Sequence, residues 1–110
     1  MKYKYSYKFT DISENDLDEI ISYYIDELKS KQVASDFLSK LSKVIEDIRL
    51  FPNSGELVNN DLIMEKGIRK KYVDNYTLFY LPDKKEKMIY ILRIVYSRRN
   101  LDYILSNIIN

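Results

Sequence analysis

Residues that could contact a phosphate group are concentrated in one short segment, residues 66–72. The segment holds four cations, Lys66, Arg69, Lys70 and Lys71, and ends in Tyr72. Arginine and lysine form charge-assisted hydrogen bonds with phosphate, and a tyrosine ring can stack on a base. On a strand, Arg69 and Lys71 would share one face and Lys70 would lie on the other. The pattern predicts either a nucleic-acid contact or an edge strand that its charges keep soluble.

A second basic group follows the last apolar run of the chain, in the sequence Tyr96-Ser97-Arg98-Arg99. The ends of strands, and the loops beyond them, often carry functional residues. Tyr96, Arg98 and Arg99 could grip a phosphodiester. They could equally cap a helix in the tail and pair with Asp102. The sequence leaves both interpretations open.

Arg93 interrupts the apolar run of residues 88–95. A charge inside an apolar strand needs either a partner or an open, concave face of the sheet. Arg93 therefore forms an ion pair with a helix carboxylate or belongs to a binding site. As a site hypothesis, we expect Arg69, Arg93 and Arg98 to converge on one concave face.

The composition excludes several kinds of chemistry. The chain has no cysteine and no histidine, which excludes a thiolate nucleophile, Cys-ligated metal and serine–histidine catalysis. Catalysis would have to use Lys, Arg, Tyr, Asp, Glu or Ser. We expect no metal and no cofactor, because neither a metal-ligand spacing nor a glycine-rich phosphate loop stands out. We expect no membrane partner, because no run approaches the ~18 apolar residues of a membrane span. The N-terminus has no apolar signal region, so the prediction is a cytoplasmic protein.

Charge is distributed unevenly along the 110 residues. Residues 1–61 hold 8 basic and 12 acidic residues, a net charge of −4, whereas residues 62–110 hold 10 and 5, a net charge of +5. The sum is the net charge of +1 of the whole chain. A basic second half indicates either an anionic partner or sheet edges rich in lysine.

Apolar periodicity predicts a strand and then two helices. Residues 2–9 alternate with period two, which sets Tyr3, Tyr5, Tyr7 and Phe9 on one face. Ser13 is a candidate N-cap for a first helix that ends near Lys29, and a second helix is predicted over residues 33–50. Residues 53–66 are predicted to form a loop.

Three strands and a tail complete the predicted fold. The strands cover residues 68–73, 76–81 and 88–96, with a tight turn at Asp74-Asn75, and the last is expected at the centre of the sheet. Residues 98–109 have helical spacing. The predicted class is α+β in a single domain, residues 1–110: an N-terminal strand, an antiparallel two-helix hairpin, a three-stranded antiparallel meander and a short C-terminal helix.

The order of these segments resembles toxins of the RelE/ParE superfamily from bacterial type II toxin–antitoxin systems. The resemblance covers nearly the whole chain and rests on the following segments: an aromatic first strand, Asp16-Leu17-Asp18-Glu19-Ile20, Tyr23-Tyr24, Ala34, Phe37-Leu38, Phe51-Pro52-Asn53-Ser54-Gly55, Gly67-Ile68-Arg69, Asn75-Tyr76-Thr77-Leu78-Phe79-Tyr80 and Ile91-Leu92-Arg93-Ile94-Val95-Tyr96-Ser97-Arg98-Arg99. It implies a toxin with the RelE/ParE fold and a cognate antitoxin that neutralises it.

The resemblance implies two alternative activities. RelE-like members cut messenger RNA on the ribosome without metal, and matching positions would make Arg69, Lys71, Tyr96 and Arg98 the catalytic residues. Lys66, Lys70, Arg93 and Arg99 would then bind the nucleic acid or the target. ParE-like members bind DNA gyrase and are not nucleases. The nuclease members often carry arginine where this chain has Thr77, and Asn75-Tyr76 looks more ParE-like.

Two functions without toxicity remain open at the sequence level. A non-toxic nucleic-acid-binding module would use the basic strand, residues 66–71, and would bind in a salt-sensitive way. An interaction protein would use the same basic face to dock an acidic partner. A homodimer is also left open by the sequence.

Overall fold

A computed structural model describes residues 4–59, 61, 63 and 65–108. The elements follow the predicted order, from strand β1 to helix α3. They are β1 (Ser6–Phe9), α1 (Asp11–Ser22), a π-helical turn (Tyr23–Glu27), α2 (Lys31–Leu50), β2 (Glu56–Leu57), β3 (Arg69–Val73), β4 (Tyr76–Asp83), β5 (Met88–Tyr96) and α3 (Leu101–Ser106). The α+β class with a helical hairpin, an antiparallel meander and a short terminal helix is therefore confirmed.

The described strands form one five-stranded sheet in the order β1-β5-β4-β3-β2. β1 runs parallel to β5, and every other neighbouring pair is antiparallel. β5 lies inside the sheet, but the prediction that it is the central strand is wrong. β4 occupies the middle, because the two-residue strand β2 forms within the predicted loop and extends the sheet beyond β3.

The two faces of the sheet cover different cores. The helix-side core lies between the sheet and the hairpin of α1 and α2, and includes Phe37, Ile48, Leu78, Tyr80 and Ile94. The α3-side core lies on the opposite face, where Phe79, Leu92 and Val95 pack with Ile104 and Leu105 of α3. Because strand side chains alternate between faces, membership of one core or the other shows the face on which a buried strand residue lies.

The helix starts differ from the predicted ones for a local reason. Thr10, rather than Ser13, caps α1: the Ser13 amide donates to Thr10 Oγ1 at 3.2 Å. Ser13 lies inside the helix, and its hydroxyl donates to the Thr10 carbonyl at 2.9 Å. α2 begins at Lys31, two residues before the predicted start, because the Ser30 side chain accepts a hydrogen bond from the Val33 amide.

Three residues other than glycine have a left-handed backbone, and this conformation was expected only for the β3–β4 turn. Asp74 has φ 53° in the β3–β4 turn, as expected for a two-residue hairpin. Lys29 and Lys87 each have φ 52°, at the end of the first helical segment and before β5.

The first strand is shorter than predicted, since β1 begins at Ser6. Tyr3, which was predicted to lie in this strand, is outside the described residues.

Candidate functional site

Arg93 forms a buried ion pair with Asp16 of α1. Its Nε and a terminal nitrogen donate to the two Asp16 carboxylate oxygens at 2.8 and 3.0 Å, and the Ile94 amide donates to Oδ2 at 2.9 Å. The side chains of Arg93 and Asp16 are only 11% and 7% exposed. Of the two interpretations of Arg93, the ion pair with a helix carboxylate is confirmed.

The position of Asp16 follows from the short first strand. β1 pairs with β5 only as far as Phe9 and Ile91, so the edge of β5 beyond that point is uncovered. The chain turns into α1 there, and Thr10 Oγ1 donates to the Leu92 carbonyl at 3.2 Å. Six residues after Thr10, Asp16 accepts a hydrogen bond from the Ile94 amide, which lies further along the same uncovered edge of β5. A carboxylate thus takes the place of a missing strand.

Arg69 closes the loop that follows α2. One of its terminal nitrogens donates to the carbonyls of Asn53 and Gly55 at 3.1 and 2.8 Å. Tyr80 reinforces the same loop, since its hydroxyl donates to the Pro52 carbonyl and accepts from the Gly55 amide, both at 2.9 Å. Burial raises the pKa of Tyr80, which keeps this hydroxyl protonated and able to donate.

The expected convergence of Arg69, Arg93 and Arg98 is wrong for the first two. Arg69 lies opposite Tyr80, which belongs to the helix-side core, whereas Arg93 lies opposite Phe79 of the α3-side core. The contacts of the two arginines also keep them apart, because Arg69 binds the loop after α2 whereas Arg93 binds Asp16 of α1 at the edge of β5. Arg98 is exposed in the turn between β5 and α3.

The three lysines of the basic segment are dispersed as well. Lys66 is exposed before β3, and Lys71 lies opposite Leu78, on the helix-side face with Arg69. Lys70 lies on the other face, with its Nζ 5.8 Å from the Tyr72 ring centroid and 4.0 Å from Glu56 Oε2. The predicted alternation is confirmed, and it divides the cations between two surfaces.

A cavity of about 430 Å³ opens where the π-helical turn meets the sheet. It is lined by the following residues: Tyr23, Tyr24, Leu28, Asn75, Tyr76 and Tyr96. We call these six residues the tyrosine cavity. The π-helical turn supplies the first two tyrosines, and the paired ends of β4 and β5 supply Tyr76 and Tyr96, which lie directly opposite each other. π-helical segments are uncommon and occur frequently at functional sites.

The rings of the cavity form a continuous aromatic series from the core to the surface. The buried Phe37 contacts Tyr24 and Tyr76, with centroids 5.8 and 5.4 Å apart. Tyr76 contacts Tyr96 at 5.9 Å, and Tyr24 contacts Tyr23 at 5.9 Å. Tyr23 and Tyr96 are 48% and 43% exposed. The series anchors two exposed rings on a rigid base.

The inner phenols are held in the protonated form. Burial, the neighbouring Tyr24 and a hydrogen bond to Tyr24 raise the pKa of Tyr76 to about 12. Burial also raises the pKa of Tyr24, although the hydrogen bond from Tyr76 opposes this. A general acid or base works best with a pKa near the operating pH. Tyr76 and Tyr24 are therefore suited to hydrogen bonding and ring contacts at neutral pH.

A smaller cleft of about 160 Å³ adjoins the tyrosine cavity and shares Tyr23, Tyr76 and Tyr96 with it. Arg99 and Glu19 also line this cleft, and the Arg99 amide donates to the Tyr96 carbonyl at 3.0 Å. Tyr96 and Arg99, two of the predicted site residues, therefore lie at one place in the molecule. Arg69, Lys70 and Arg93 do not line either cavity.

Sequence reasoning selected only Tyr96 from the tyrosine cavity and treated Tyr24 as core. It missed Tyr23, Asn75 and Tyr76. A signal was present: Tyr76 opens a strand and Tyr96 closes the next one, so an antiparallel pairing brings them together. The contact with Tyr23 could not be found this way, because the apolar pattern does not reveal a π-helical turn.

Thr77 is enclosed at the position where nuclease members often carry arginine. It is 1% exposed, and its Oγ1 lies 2.7 Å from Ser97 Oγ.

Within the described residues, no group of three or more potential metal ligands is close enough to hold an ion. Among the same residues, none of the helices has the length and apolar character needed to cross a membrane.

Comparison with known proteins gives one family and several solved structures. A family model described as the ParE toxin of the type II toxin–antitoxin system, parDE, matches residues 7–101. No curated protein sequence matches the chain. The chromosomal ParDE system from P. aeruginosa has a similar structure, with a TM-score of 0.65 and 21% identity, covering 84% of this chain and 96% of that one.

Two structures from RelE systems are similar as well. The toxin–antitoxin complex RelBE2 from Mycobacterium tuberculosis matches with a TM-score of 0.60 and 18% identity, over 84% of this chain and 98% of that one. A doubly substituted E. coli RelE in the free state matches with a TM-score of 0.63 and 11% identity, over 94% and 95% of the two chains. Because the sequence identities are only 11–21%, the structural similarity shows a shared fold and nothing more.

Proposed function

Because the chain belongs to the ParE toxin family of type II toxin–antitoxin systems, we propose that it arrests bacterial growth by acting on DNA gyrase in the cytoplasm. A cognate antitoxin neutralises it. The single observation that carries the choice of target is the engagement of Arg69 and Arg93 in separate internal contacts. In this proposal the chain is an inhibitor and not an enzyme.

Cleavage of RNA by its own 2′-hydroxyl makes demands that these residues meet poorly. The reaction needs a proton acceptor, a proton donor and cations gathered around one phosphate. The Arg93 guanidinium is bound to Asp16, and the Arg69 guanidinium is bound to two loop carbonyls. Using Arg93 for RNA would leave the buried Asp16 carboxylate without its guanidinium, and using Arg69 would free the partly buried Gly55 carbonyl. Leaving a buried polar group without a partner costs about 1–3 kcal/mol.

The exposed part of the tyrosine cavity is better suited to a protein surface. Tyr23, Tyr96 and Leu28 present large apolar areas to solvent. Tyrosine is enriched at the centre of protein interfaces because it combines a large apolar ring with a hydrogen-bonding hydroxyl and loses little entropy on binding. The exposed ring of Tyr96 packs on Tyr76, which packs on the buried Phe37, so less ordering of this ring is needed on binding.

Induced expression of the chain in a bacterial host tests the proposal. We expect growth arrest, blocked replication and a DNA-damage response, with transcripts that remain intact. Co-expression of the neighbouring antitoxin gene should restore growth. Transcripts cut at ribosome-bound codons would instead establish a RelE-like nuclease, and normal growth with soluble protein would exclude toxicity in that host.

A paired variant separates the two mechanisms further. Lys71→Ala combined with Arg98→Ala removes two of the residues that RNA cleavage would require, and the fold should tolerate both changes because Arg98 is exposed and Lys71 is only half-buried. We expect the double variant to remain toxic at equal protein level. Loss of toxicity with a folded protein would contradict the gyrase proposal and favour RNA cleavage.

A further inference from the structure

The tyrosine cavity combines aromatic walls with polar edges. Four of its six lining residues are tyrosines, and Asn75 adds an amide. Such a surface can be occupied by an apolar side chain, an anion or a cation. The charges nearby distinguish these occupants.

The charged groups around Tyr23 are predominantly acidic. A groove of about 320 Å³ shares Tyr23 with the cavity and is lined by Asp18, Glu19, Asp26 and Glu27. Residues 18 and 19 lie on α1, and residues 26 and 27 lie on the π-helical turn. Four carboxylates within ten residues of the chain create a negative potential next to an aromatic cavity, and this potential attracts cations.

The other charges of the rim do not reverse this balance. Asp74 lies close enough to Tyr24 to contribute to its raised pKa, although its carboxylate is paired with Lys40 at 2.9 Å. Arg99 is the cation of the adjoining cleft, which it lines together with Glu19 and Asp16. Asp16 is already bound to Arg93. The carboxylates that remain for an incoming group lie beside Tyr23.

Neutral phenol rings are good partners for a cation. The face of a tyrosine ring carries negative quadrupole charge and attracts ammonium and guanidinium groups within about 6 Å of its centroid. The raised pKa values of Tyr24 and Tyr76 keep these hydroxyls protonated, and their oxygens can still accept hydrogen bonds. An anionic phosphate would be repelled by the four carboxylates of the neighbouring groove, and an apolar side chain would leave the hydroxyls and the Asn75 amide unsolvated.

We propose that the tyrosine cavity receives a basic side chain, arginine or lysine, from a partner protein, with the carboxylates around Tyr23 steering it into place. Arginine fits the walls especially well, because a planar guanidinium stacks on rings and donates to several acceptors at once. The proposal concerns the isolated surface of this chain, and it does not depend on whether the toxin acts on gyrase or on the ribosome.

Titration of the isotopically labelled chain with Nα-acetyl-arginine amide tests the proposal by NMR. We expect the ring resonances of Tyr23 and Tyr96 to shift in a saturable way, and the binding to weaken at high salt because the carboxylates are exposed. Nα-acetyl-citrulline amide is the matched probe, since it has the same shape without the charge. It should bind at least several-fold more weakly.

Variants of the chain complete the test. Tyr23→Leu keeps an apolar side chain at an exposed position and should weaken the arginine probe about fivefold, the size expected for one cation–π contact. Glu19→Gln together with Asp26→Asn should also weaken it and reduce the salt dependence. Tyr103→Leu, at a residue 66% exposed and outside the cavity, is the control and should bind as the unmodified chain does.

Three results would overturn the proposal, each measured on a chain that circular dichroism shows to be folded. The citrulline probe could bind as tightly as the arginine probe, which would make the cavity an apolar site. Adenosine monophosphate could shift the same rings where the arginine probe does not, which would make it a nucleotide site. The arginine probe could also leave Tyr23 and Tyr96 unshifted at every concentration tested.

Discussion

At the scale of single residues, Asp16 holds two neighbouring residues of β5, Arg93 and Ile94, in place. Its two carboxylate oxygens accept three hydrogen bonds, two from Arg93 and one from the Ile94 amide. This arrangement satisfies a strand edge and removes a cation from the surface of the sheet. The ion pair with this carboxylate gives Arg93 a role in the fold.

Asp16→Asn should destabilise the chain strongly. The substitution keeps the shape of the side chain but leaves the buried guanidinium of Arg93 without an opposite charge, and breaking a buried pair in this way typically costs about 3–5 kcal/mol. Urea unfolding followed by circular dichroism measures the change. The control is Asp18→Asn, at an exposed position two residues along α1, where we expect a change within about 0.5 kcal/mol. Equal stability of the two variants would contradict the structural role of the pair.

Tyr76 should make the chain less stable at alkaline pH. Burial raises its pKa from the ordinary value of 10.0 to about 12. The folded state then holds a proton that the unfolded state releases, so this contribution is fully present below about pH 10 and is lost as the pH rises towards 12. Between these values, the free energy of unfolding should fall more steeply for the unmodified chain than for Tyr76→Phe.

The control for this measurement is Tyr103→Phe, whose ring is 66% exposed. Its unfolding free energy should follow the unmodified chain at every pH. An absorbance titration of tyrosinate gives an independent reading, because Tyr76→Phe should remove a phenol from the group that titrates last. A steep loss of stability that persists in Tyr76→Phe would assign the effect to other residues.

The sequence predicted some of these residue roles and missed others for a physical reason. An arginine inside an apolar strand signals a partner, so an ion pair between Arg93 and a helix carboxylate could be expected. The role of Arg69 could not, because its acceptors are the loop carbonyls of Asn53 and Gly55, and a backbone carbonyl leaves no mark in the sequence. The same holds for Tyr80 and the Pro52 carbonyl.

At the scale of elements, the pattern of apolar residues predicted the helices and strands that bury an apolar face. It missed the short elements whose form depends on the structure around them. The two helices were predicted from their apolar stripes, and β5 was predicted from an apolar run that is buried between the two cores. The strand β2 has only two residues, Glu56–Leu57, and exists because β3 offers it a free edge. The π-helical turn at Tyr23–Glu27 keeps an ordinary helical composition, so its altered geometry had no sequence signal.

Helix α3 covers one face of the sheet, and its two buried residues should be essential to that face. Leu105→Ala removes a side chain that packs in the α3-side core and should cost about 2–4 kcal/mol of the free energy of unfolding. Tyr103→Ala, in the same helix but exposed, is the matched control and should change stability much less. Urea unfolding compares them.

Deletion of residues 100–110 extends this test from one residue to the element. It uncovers Phe79, Leu92 and Val95, so we expect a loss of stability larger than that of Leu105→Ala, with exposed apolar surface that binds a hydrophobic dye. A truncated chain as stable as the full one would show that α3 contributes little to the sheet.

At the scale of the whole molecule, the charge asymmetry of the sequence becomes a separation of surfaces. The acidic first half forms the hairpin beside the tyrosine cavity. In the second half, Lys70 and Lys71 lie on opposite faces of the sheet, and Arg93 is paired with Asp16. These three cations therefore do not form one basic surface, which is a reason to favour a protein target over a phosphate-binding face.

The most direct test of the gyrase proposal is a supercoiling reaction with purified components. Purified gyrase is given relaxed plasmid and ATP, with the chain alone or with the chain bound to its antitoxin. We predict that the free chain blocks supercoiling or traps cleaved plasmid, and that the antitoxin complex does neither. Normal supercoiling at saturating toxin, together with messenger RNA cut in a translating extract, would contradict the proposal and assign the toxin to the ribosome.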